Sequence, residues 1–459
     1  MPFIDSIHHV HLIGAGGIGI SAVGKLLLRQ GKTLSGSDLQ PNEATRELEA
    51  AGAAMRYGHA AEHVPPETDL VIYSDAVPET NPERTAARVR ELLAVSYFTF
   101  LGRFSAERRT VGVSGTNGKS TTTALLGHLL IHAGLDPTVI VGSRLRSFPD
   151  GNLRSGGDLT VIEACEYRAN MLKLSPRVVV LTDIKEDHLD FYRDLDDIKA
   201  TFQRYVDALP EDGLLVYNAD DIASAELNYA GRSVSYAMDA AATYEARDWR
   251  VEPGRQRFEL WCAKDGGRSL GEMTLRIPGR FNVHNALAAT AAALELGADL
   301  EKVRAAVAGF PGIWRRFEVL GERGGAVIVS DYAHHPEAVT LTIQAAREFY
   351  PDRRVVACFQ PHHRNRTRRL FDGFVAALAG ADEVVVTEIY DVAGREAGEA
   401  VSGADLAAAV ETARGGKAVL FAATPDEAQS KLEALIEGND LVLVMGAGDI
   451  YKIAPALVS

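Results

Sequence analysis

The sequence predicts an α/β protein built from three consecutive blocks. Short β-branched runs alternate with longer Ala/Leu-rich segments along all 459 residues, which is the pattern of strands joined by helical crossovers. A chain of that length suffices for about two to four domains. Two apolar runs pass directly into glycine-rich turns that open amphipathic segments, HHVHLIGAGGIGI at residues 8–20 and VGVSGTNGKSTTT at residues 111–123.

The first block, residues 1–108, carries strand patterns at HHVHLIG, TLSGSD and DLVIYSDA. The second, residues 109–313, carries TVGVSG, LTVIEA and RVVVLTDI, and the helical pattern NVHNALAATAAALELG. Its stretch from about Gly213 to Arg276 reads as hairpin-like, hence antiparallel. The third, residues 314–459, carries AVIVSDYA, RVVACFQ, EVVVTEIY and LVLVMGAG.

Composition excludes several classes. Apolar content of 46% and charged content of 24% are those of a soluble globular chain. No run reaches the 18 or so apolar residues of a membrane span, and the N-terminus lacks the basic and apolar regions of a signal peptide. Cys165, Cys262 and Cys358 are far apart, which suits a reducing cytoplasm better than a disulfide framework. A net charge of −14 argues against non-specific nucleic-acid binding.

At residues 111–123, a strand, a glycine turn and a helix start form an anion site from backbone N–H groups. Lys119 can reach terminal phosphates, and a hydroxyl at Ser120 or Thr121 can ligate Mg²⁺. The strict G-x4-G-K-[ST] template needs glycine at position 113, where this chain has Val113, so the loop is a variant. Two further strands end in polar clusters. Glu163 follows the apolar run at the start of LTVIEACEY, and Asp187, His188 and Asp190 follow VVVLTDI. Carboxylates at the C-terminal edge of an α/β sheet beside a phosphate loop suit a metal-assisted phosphoryl transfer.

Near the N-terminus, Gly14, Gly16 and Gly19 form G-x-G-x-x-G after a strand, with Asp38 further on. This chemistry requires only close backbone approach to a diphosphate, so a dinucleotide or a nucleotide-sugar diphosphate both satisfy it. Taken alone it suggests a nicotinamide-dependent oxidoreductase, which would leave the second loop and its carboxylates without use. A nucleotide-binding regulatory module is the other alternative. The pairs His334–His335 and His362–His363 each follow a strand end, but they lack zinc-ligand spacing and cysteine partners. HHRNRTRR concentrates Arg in an acidic chain, a pattern suited to clamping carboxylates or phosphates.

In order along the chain, GTNGKSTTT, VIEACEY, TDIKEDHLD, PGRFNVHNALAA, GIWRRFE, DYAHHPEAV and FQPHHRNRTRRLF resemble the motifs of the Mur ligases. Those are ATP-dependent ligases of peptidoglycan precursor synthesis. The resemblance implies a Rossmann-like N-terminal domain, a central P-loop ATPase and a Rossmann-like C-terminal domain. It implies ligation of L-alanine to the carboxylate of UDP-N-acetylmuramate through an acyl phosphate, with ATP and Mg²⁺, in a cytoplasmic monomer or homodimer. A ligase that salvages a murein tripeptide onto the same sugar is the alternative. Spreading the ligands over three domains predicts closure on binding.

The resemblance also implies site residues. Gly14, Gly16, Gly17, Gly19, Asp38 and Ser74 would border the UDP-sugar. Gly115, Thr116, Asn117, Gly118, Lys119, Ser120 and Thr121 would hold the ATP phosphates, with Asn282 and Asn285 toward adenine and Asp331 toward ribose. Ser120, Glu163 and His188 would be metal ligands. Arg316, beside Arg315, would contact phosphate. His334, His335, His362 and Arg366 would surround the sugar carboxylate and the amino acid. The chain departs from the pattern of the branch it resembles most at three places. Asn117 stands where His is common, EACEY where EADES is common, and Asp183 where Asn is usual.

Overall fold

The computed structural model describes residues 3–189, 191–391 and 401–458, without the side chain of Asp265. Asp190, named above, lies outside them. The chain forms two compact units. One comprises Met1–Asp248, Phe258–Met273 and Phe281–Ala308, and the other Trp249–Arg257, Thr274–Arg280 and Gly309–Ser459.

The first unit begins with β1 (His9–Ile13), α1 (Ile18–Arg29), β2 (Thr33–Asp38), α2 (Glu43–Ala50), β3 (Ala54–Tyr57), β4 (Leu70–Tyr73), α3 (Pro82–Val89), β5 (Leu93–Ser96) and α4 (Tyr97–Ala106). The five strands are parallel in the order β3-β2-β1-β4-β5. That order reverses between β1 and β4, which opens a crevice at their C-terminal ends. Local chemistry starts the helices. Asn42 and Thr45 form a capping box on α2, and Asn81 caps α3 ahead of Pro82.

The central sheet follows: β6 (Arg109–Ser114), α5 (Lys119–Ala133), β7 (Thr138–Ile140), β8 (Leu153–Arg154), β9 (Leu159–Glu163), β10 (Val178–Leu181), α6 (Leu195–Asp207), β11 (Leu214–Asn218), α7 (Ile222–Ala225), β12 (Arg232–Ala237), β13 (Tyr244–Glu252), β14 (Arg255–Cys262), β15 (Arg268–Leu275), α8 (Arg280–Glu295) and α9 (Leu300–Gly309). Its strand order is β15-β14-β13-β12-β11-β10-β6-β9-β7-β8. The antiparallel reading from Gly213 onward starts too early. β11 and β12 pair in parallel, because α7, capped by Asp221, carries the chain across the sheet between them. Only from Tyr244 does the chain turn back tightly, through Pro253 and Gly254 between β13 and β14.

The second unit carries β16 (Glu318–Arg323), β17 (Ala326–Asp331), α10 (Pro336–Phe349), β18 (Arg354–Phe359), α11 (Arg364–Arg369), α12 (Phe371–Leu378), β19 (Glu383–Thr387), α13 (Gly403–Ala413), β20 (Leu420–Ala422), α14 (Pro425–Leu435) and β21 (Asp440–Met445). The sheet order is β16-β17-β21-β18-β19-β20, parallel except for the β16 edge. Among the described residues no helix is long and apolar enough to cross a membrane.

In the first unit the N-terminal and central sheets share one buried cluster that includes Phe100, Phe104, Met171, Leu174 and Tyr205. A Cβ on Gly102 would lie 2.2 Å from the Lys173 carbonyl, so only glycine lets α4 approach the 167–173 segment that closely. The buried Lys25 ammonium places its three donors on Glu47 Oε2 (2.6 Å), the Asp150 carbonyl (2.8 Å) and Asn152 Oδ1 (2.9 Å), tying α1 and α2 to the central domain.

A second buried ion group lies inside the N-terminal sheet. Glu83 and His11 are both 0% exposed. The Glu83 carboxylate meets His11 Nε2 at 2.8 Å, the Ser37 hydroxyl at 2.6 Å and His59 Nδ1 at 2.9 Å. Burial pushes the carboxyl up, and these hydrogen bonds together outweigh it, so Glu83 sits below its ordinary value. Glu83 therefore stabilises the fold above the unfolded carboxyl value of about 4.3, and that contribution is lost as pH falls through its lower folded value. Glu83→Ala is expected to destabilise this domain by about 3–5 kcal/mol, as removal of one partner from a buried ion group does. Urea unfolding followed at neutral pH measures it, and the deficit should shrink on acidification.

Candidate functional site

The loop after β6 leads into α5 without a side-chain cap. Gly118 begins the helix in the left-handed region at φ +78°, where a Cβ would also strike Asn285 Oδ1 at 2.3 Å. The first amides of a helix have no intrahelical acceptor, so the N–H groups of Lys119, Ser120 and Thr121 form an open donor cluster at the positive end of the helix dipole. Thr116 and Asn117, by contrast, direct their N–H groups to Asp183. Behind the loop, on α8, Asn285 accepts from the Thr122 hydroxyl (3.2 Å) and donates to Asn282 Oδ1 (3.0 Å).

Lys119 curls over the loop. Its ammonium donates to the carbonyls of Gly115 (2.6 Å) and Thr116 (2.9 Å), and to Glu166 Oε1 (2.9 Å). Glu163 accepts from the Ser120 hydroxyl (3.0 Å) on one oxygen and from Gly142 N–H (2.8 Å) on the other. The structure adds a residue that the sequence reading did not assign, Glu166. Its carboxylate is buried, its Oε2 has no hydrogen-bond partner among the described residues, and its Oε1 is 3.5 Å from His188 Nε2. Ligand atoms of Glu166, Asp187 and His188 lie within 4.8 Å of one another. An orphaned buried oxygen among hard donors fits a Mg²⁺-type cation, with Glu163 and Ser120 as a neighbouring donor pair. His188 stands at φ +53°, and its ring lies tilted against that of Tyr167, with centroids 4.6 Å apart. Burial pushes the Cys165 thiol up to about 11, with Glu166 adding to it, so this departure from the usual pattern is an inert thiol at neutral pH.

At the crevice of the N-terminal sheet, Gly14 and Ser74 come together, a Cβ on Gly14 lying 3.1 Å from Ser74 Cβ. Gly16 N–H donates to Asp38 Oδ2 (2.8 Å) and Leu39 N–H to Oδ1 (2.8 Å), so Asp38 is committed to shaping the turn. Gly17 stands at the start of α1, and Gly19 backs onto the Tyr97 ring. Next to them is a cavity of about 410 Å³ walled by Tyr73, Arg84, Ser96, Thr99, Arg168 and Lys173 among others. Its three cations were not singled out from sequence. Arg84 is fixed over the Tyr73 ring and to the Val77 carbonyl, and Lys173 to Asn170. Arg168 and Ala169 both have positive φ, the turn that brings this segment round.

In the second unit, Arg315 is buried against Tyr332 and Tyr451 and bonds the Gly446 carbonyl, while Arg316 is exposed. Asp331 accepts backbone N–H groups from Phe317 (2.6 Å) and Ala333 (2.7 Å), one on each oxygen. Burial first, then the nearby Arg366 and Arg316, hold His334 below its ordinary value against the Tyr332 carbonyl. His335 is exposed at the start of α10. His362 stacks on Tyr390, and its Nδ1 is buried with no partner among the described residues. Burial, with His363, Arg366 and His334, pushes it down to about 4. Arg366, on α11, has no ion pair among the described residues.

Three family models match in sequence: the Mur ligase family catalytic domain at residues 9–109, the Mur ligase middle domain at 113–293, and the Mur ligase glutamate ligase domain at 315–448. The UDP-N-acetylmuramate–L-alanine ligase of Salinibacter ruber is 40% identical over 100% of this chain and 96% of its own. The crystal structure of UDP-N-acetylmuramate-alanine ligase from Thermotoga maritima superposes with a TM-score of 0.84 at 29% identity, covering 98% of both chains. A murein peptide ligase from Psychrobacter arcticus, at 24% identity and a TM-score of 0.68 over 98% of both chains, shares the fold. The chain belongs to the Mur ligase family.

Proposed function

We propose that this chain is an ATP-dependent ligase that joins L-alanine to the carboxylate of UDP-N-acetylmuramate in peptidoglycan precursor synthesis. The observation that carries it is the gathering of Lys119, Ser120, Glu163, Glu166 and His188 at an uncapped helix start. The names of the relatives supply the substrates. The three domain roles follow: residues 1–108 for the UDP-sugar, 109–313 for ATP, and 314–459 for the amino acid.

A carboxylate is a poor electrophile until one oxygen becomes a good leaving group. In the first step the muramoyl carboxylate oxygen attacks the γ-phosphorus of ATP, and the bond to ADP breaks. The open amides of α5, Lys119 and Arg316 stabilise the charge spread over the transferring group. Mg²⁺ would be held by Glu166, Asp187 and His188, with Ser120 and Glu163 as a neighbouring donor pair, and would supply charge neutralisation. The amine of alanine then attacks the acyl carbon, phosphate leaves, and the amine gives up a proton. His362, with its value near 4, is too weak a base to hold that proton at neutral pH. It serves as a neutral hydrogen-bonding group beside Arg366, which takes the amino-acid carboxylate. His335 and His334 remain the candidates for the proton. Arg84, Arg168 and Lys173 hold the sugar diphosphate, and Asn282 and Asn285 flank the nucleotide.

Phosphate release from Mg-ATP is expected only when UDP-N-acetylmuramate and L-alanine are both present. Release with a murein tripeptide instead would move the chain to the salvage reaction, and no acceptor-dependent release would overturn the ligase reading. Lys119→Ala should lower kcat by about 10²–10³-fold, the cost of removing one preorganised donor. Arg84→Ala should raise KM for the UDP-sugar about tenfold with a smaller change in kcat, the signature of lost ground-state binding. The His362 imidazole should titrate in an NMR experiment with a midpoint of about 4. A midpoint at its ordinary 6.5 or so would restore it as a base.

A further inference from the structure

Asn117, in the phosphate loop, and Asp183, just after β10, touch each other. Asn117 N–H donates to Asp183 Oδ1 (2.7 Å), and Asn117 Nδ2 donates to Asp183 Oδ2 (3.0 Å). A carboxylate is acceptor-only, and here one oxygen meets the backbone N–H and the other the side-chain amide of a single Asn. Around this fork, Thr116 N–H donates to the Asp183 carbonyl (2.9 Å), and the Thr182 hydroxyl donates to the Asn117 carbonyl (2.5 Å). The Thr116 hydroxyl accepts from Lys185 N–H at 2.9 Å. The tip of the phosphate loop is thus pinned to the chain that leaves β10.

We propose that Asn117 and Asp183 act as one clamp that shapes the phosphate loop, Asp183 being a positioning residue for the nucleotide. The inference rests on the ATP-ligase reading above. The clamp turns the N–H groups of Thr116 and Asn117 away from the phosphates and into the protein. Phosphate recognition then falls to the amides of Lys119, Ser120 and Thr121 and to the Lys119 ammonium. A carboxylate beside an anion site would by itself repel the ligand. Its retention here is explained by the two donors it organises.

That contrast gives the test a sign. Binding of a non-hydrolysable ATP analogue with Mg²⁺ to the full chain is measured by calorimetry. Asp183→Ala removes both side-chain bonds and should weaken binding about tenfold, and Asn117→Ala removes one and should weaken it about threefold. The double variant should lose about tenfold, no more than Asp183→Ala alone, because the residues share one interaction. Asp183→Asn keeps the volume and one acceptor, and the Asn117 amide can rotate to match it, so binding should return to within about threefold of wild type. UDP-sugar affinity should stay unchanged in all four, which general misfolding would not allow. Tighter binding by Asp183→Ala would mean that Asp183 acts as a bare charge, and independent losses in the double variant would mean two unrelated contacts. Either result overturns the clamp alone. A wild-type chain that does not bind the analogue overturns the ATP reading and the clamp with it.

Discussion

One constraint organises the centre of the molecule: the first amides of α5 stay unpaired in a folded protein. Seven helices carry side-chain caps, through Asn42, Asn81, Ser96, Asp194, Asp221, Ser402 and Thr424. At α5 a glycine stands in that place. Unpaired donors cost stability, so the surroundings must hold the loop in a shape it would not keep alone. Asn285 presses on Gly118 from behind, Asp183 pins Asn117 in front, and Thr182 Oγ1 would lie 1.9 Å from a Cβ on Gly115. The anion site is therefore a property of three neighbouring segments, and the loop is only its visible part.

The same logic joins the N-terminal and central domains. The cavity beside Ser74 takes Arg84 from one and Arg168 and Lys173 from the other. Cations contributed by two domains hold a fixed spacing only if the domains are one body. The shared apolar cluster, the close passage at Gly102 and the fully paired Lys25 supply that rigidity. Burying an ammonium is costly unless every donor is satisfied, and Lys25 meets three acceptors contributed by both domains.

The motifs that sequence made legible are those whose chemistry is local. A strand running into GTNGKS specifies an anion site through backbone geometry, and Lys119, Ser120 and Glu163 could be named without a fold. The order of the motifs carried the family and with it the three-sheet α/β architecture. What could not be read depends on packing. In EACEY the two carboxylates are three residues apart, and nothing local says that Glu166 is buried beside Lys119. Arg168 and Lys173 look like surface charges until two positive-φ residues turn their segment toward Arg84. Asp38 and Asp331 carry the opposite lesson. Each sits where a ligand contact is expected, yet each has both oxygens on backbone N–H groups. The parallel pairing of β11 with β12 was hidden because α7 is only four residues long.

The Lys119–Glu166 pair sets how charge must move when this site fills. The Lys119 ammonium and the Glu166 carboxylate compensate each other at 2.9 Å in a largely buried place. Drawing Lys119 onto a phosphate leaves Glu166 with an uncompensated buried charge, a cost of several kcal/mol. His188 and Asp187 already stand close enough to share a cation with it. Glu166, Asp187 and His188 would hold a divalent cation there, whose charge would offset that penalty. On the proposed ATP-ligase reading, nucleotide and cation would favour each other through one carboxylate, and by linkage each would raise the affinity of the other by the same factor. An acidic chain can in this way hold an anionic nucleotide without a basic surface, because the compensating charge arrives with the ligand.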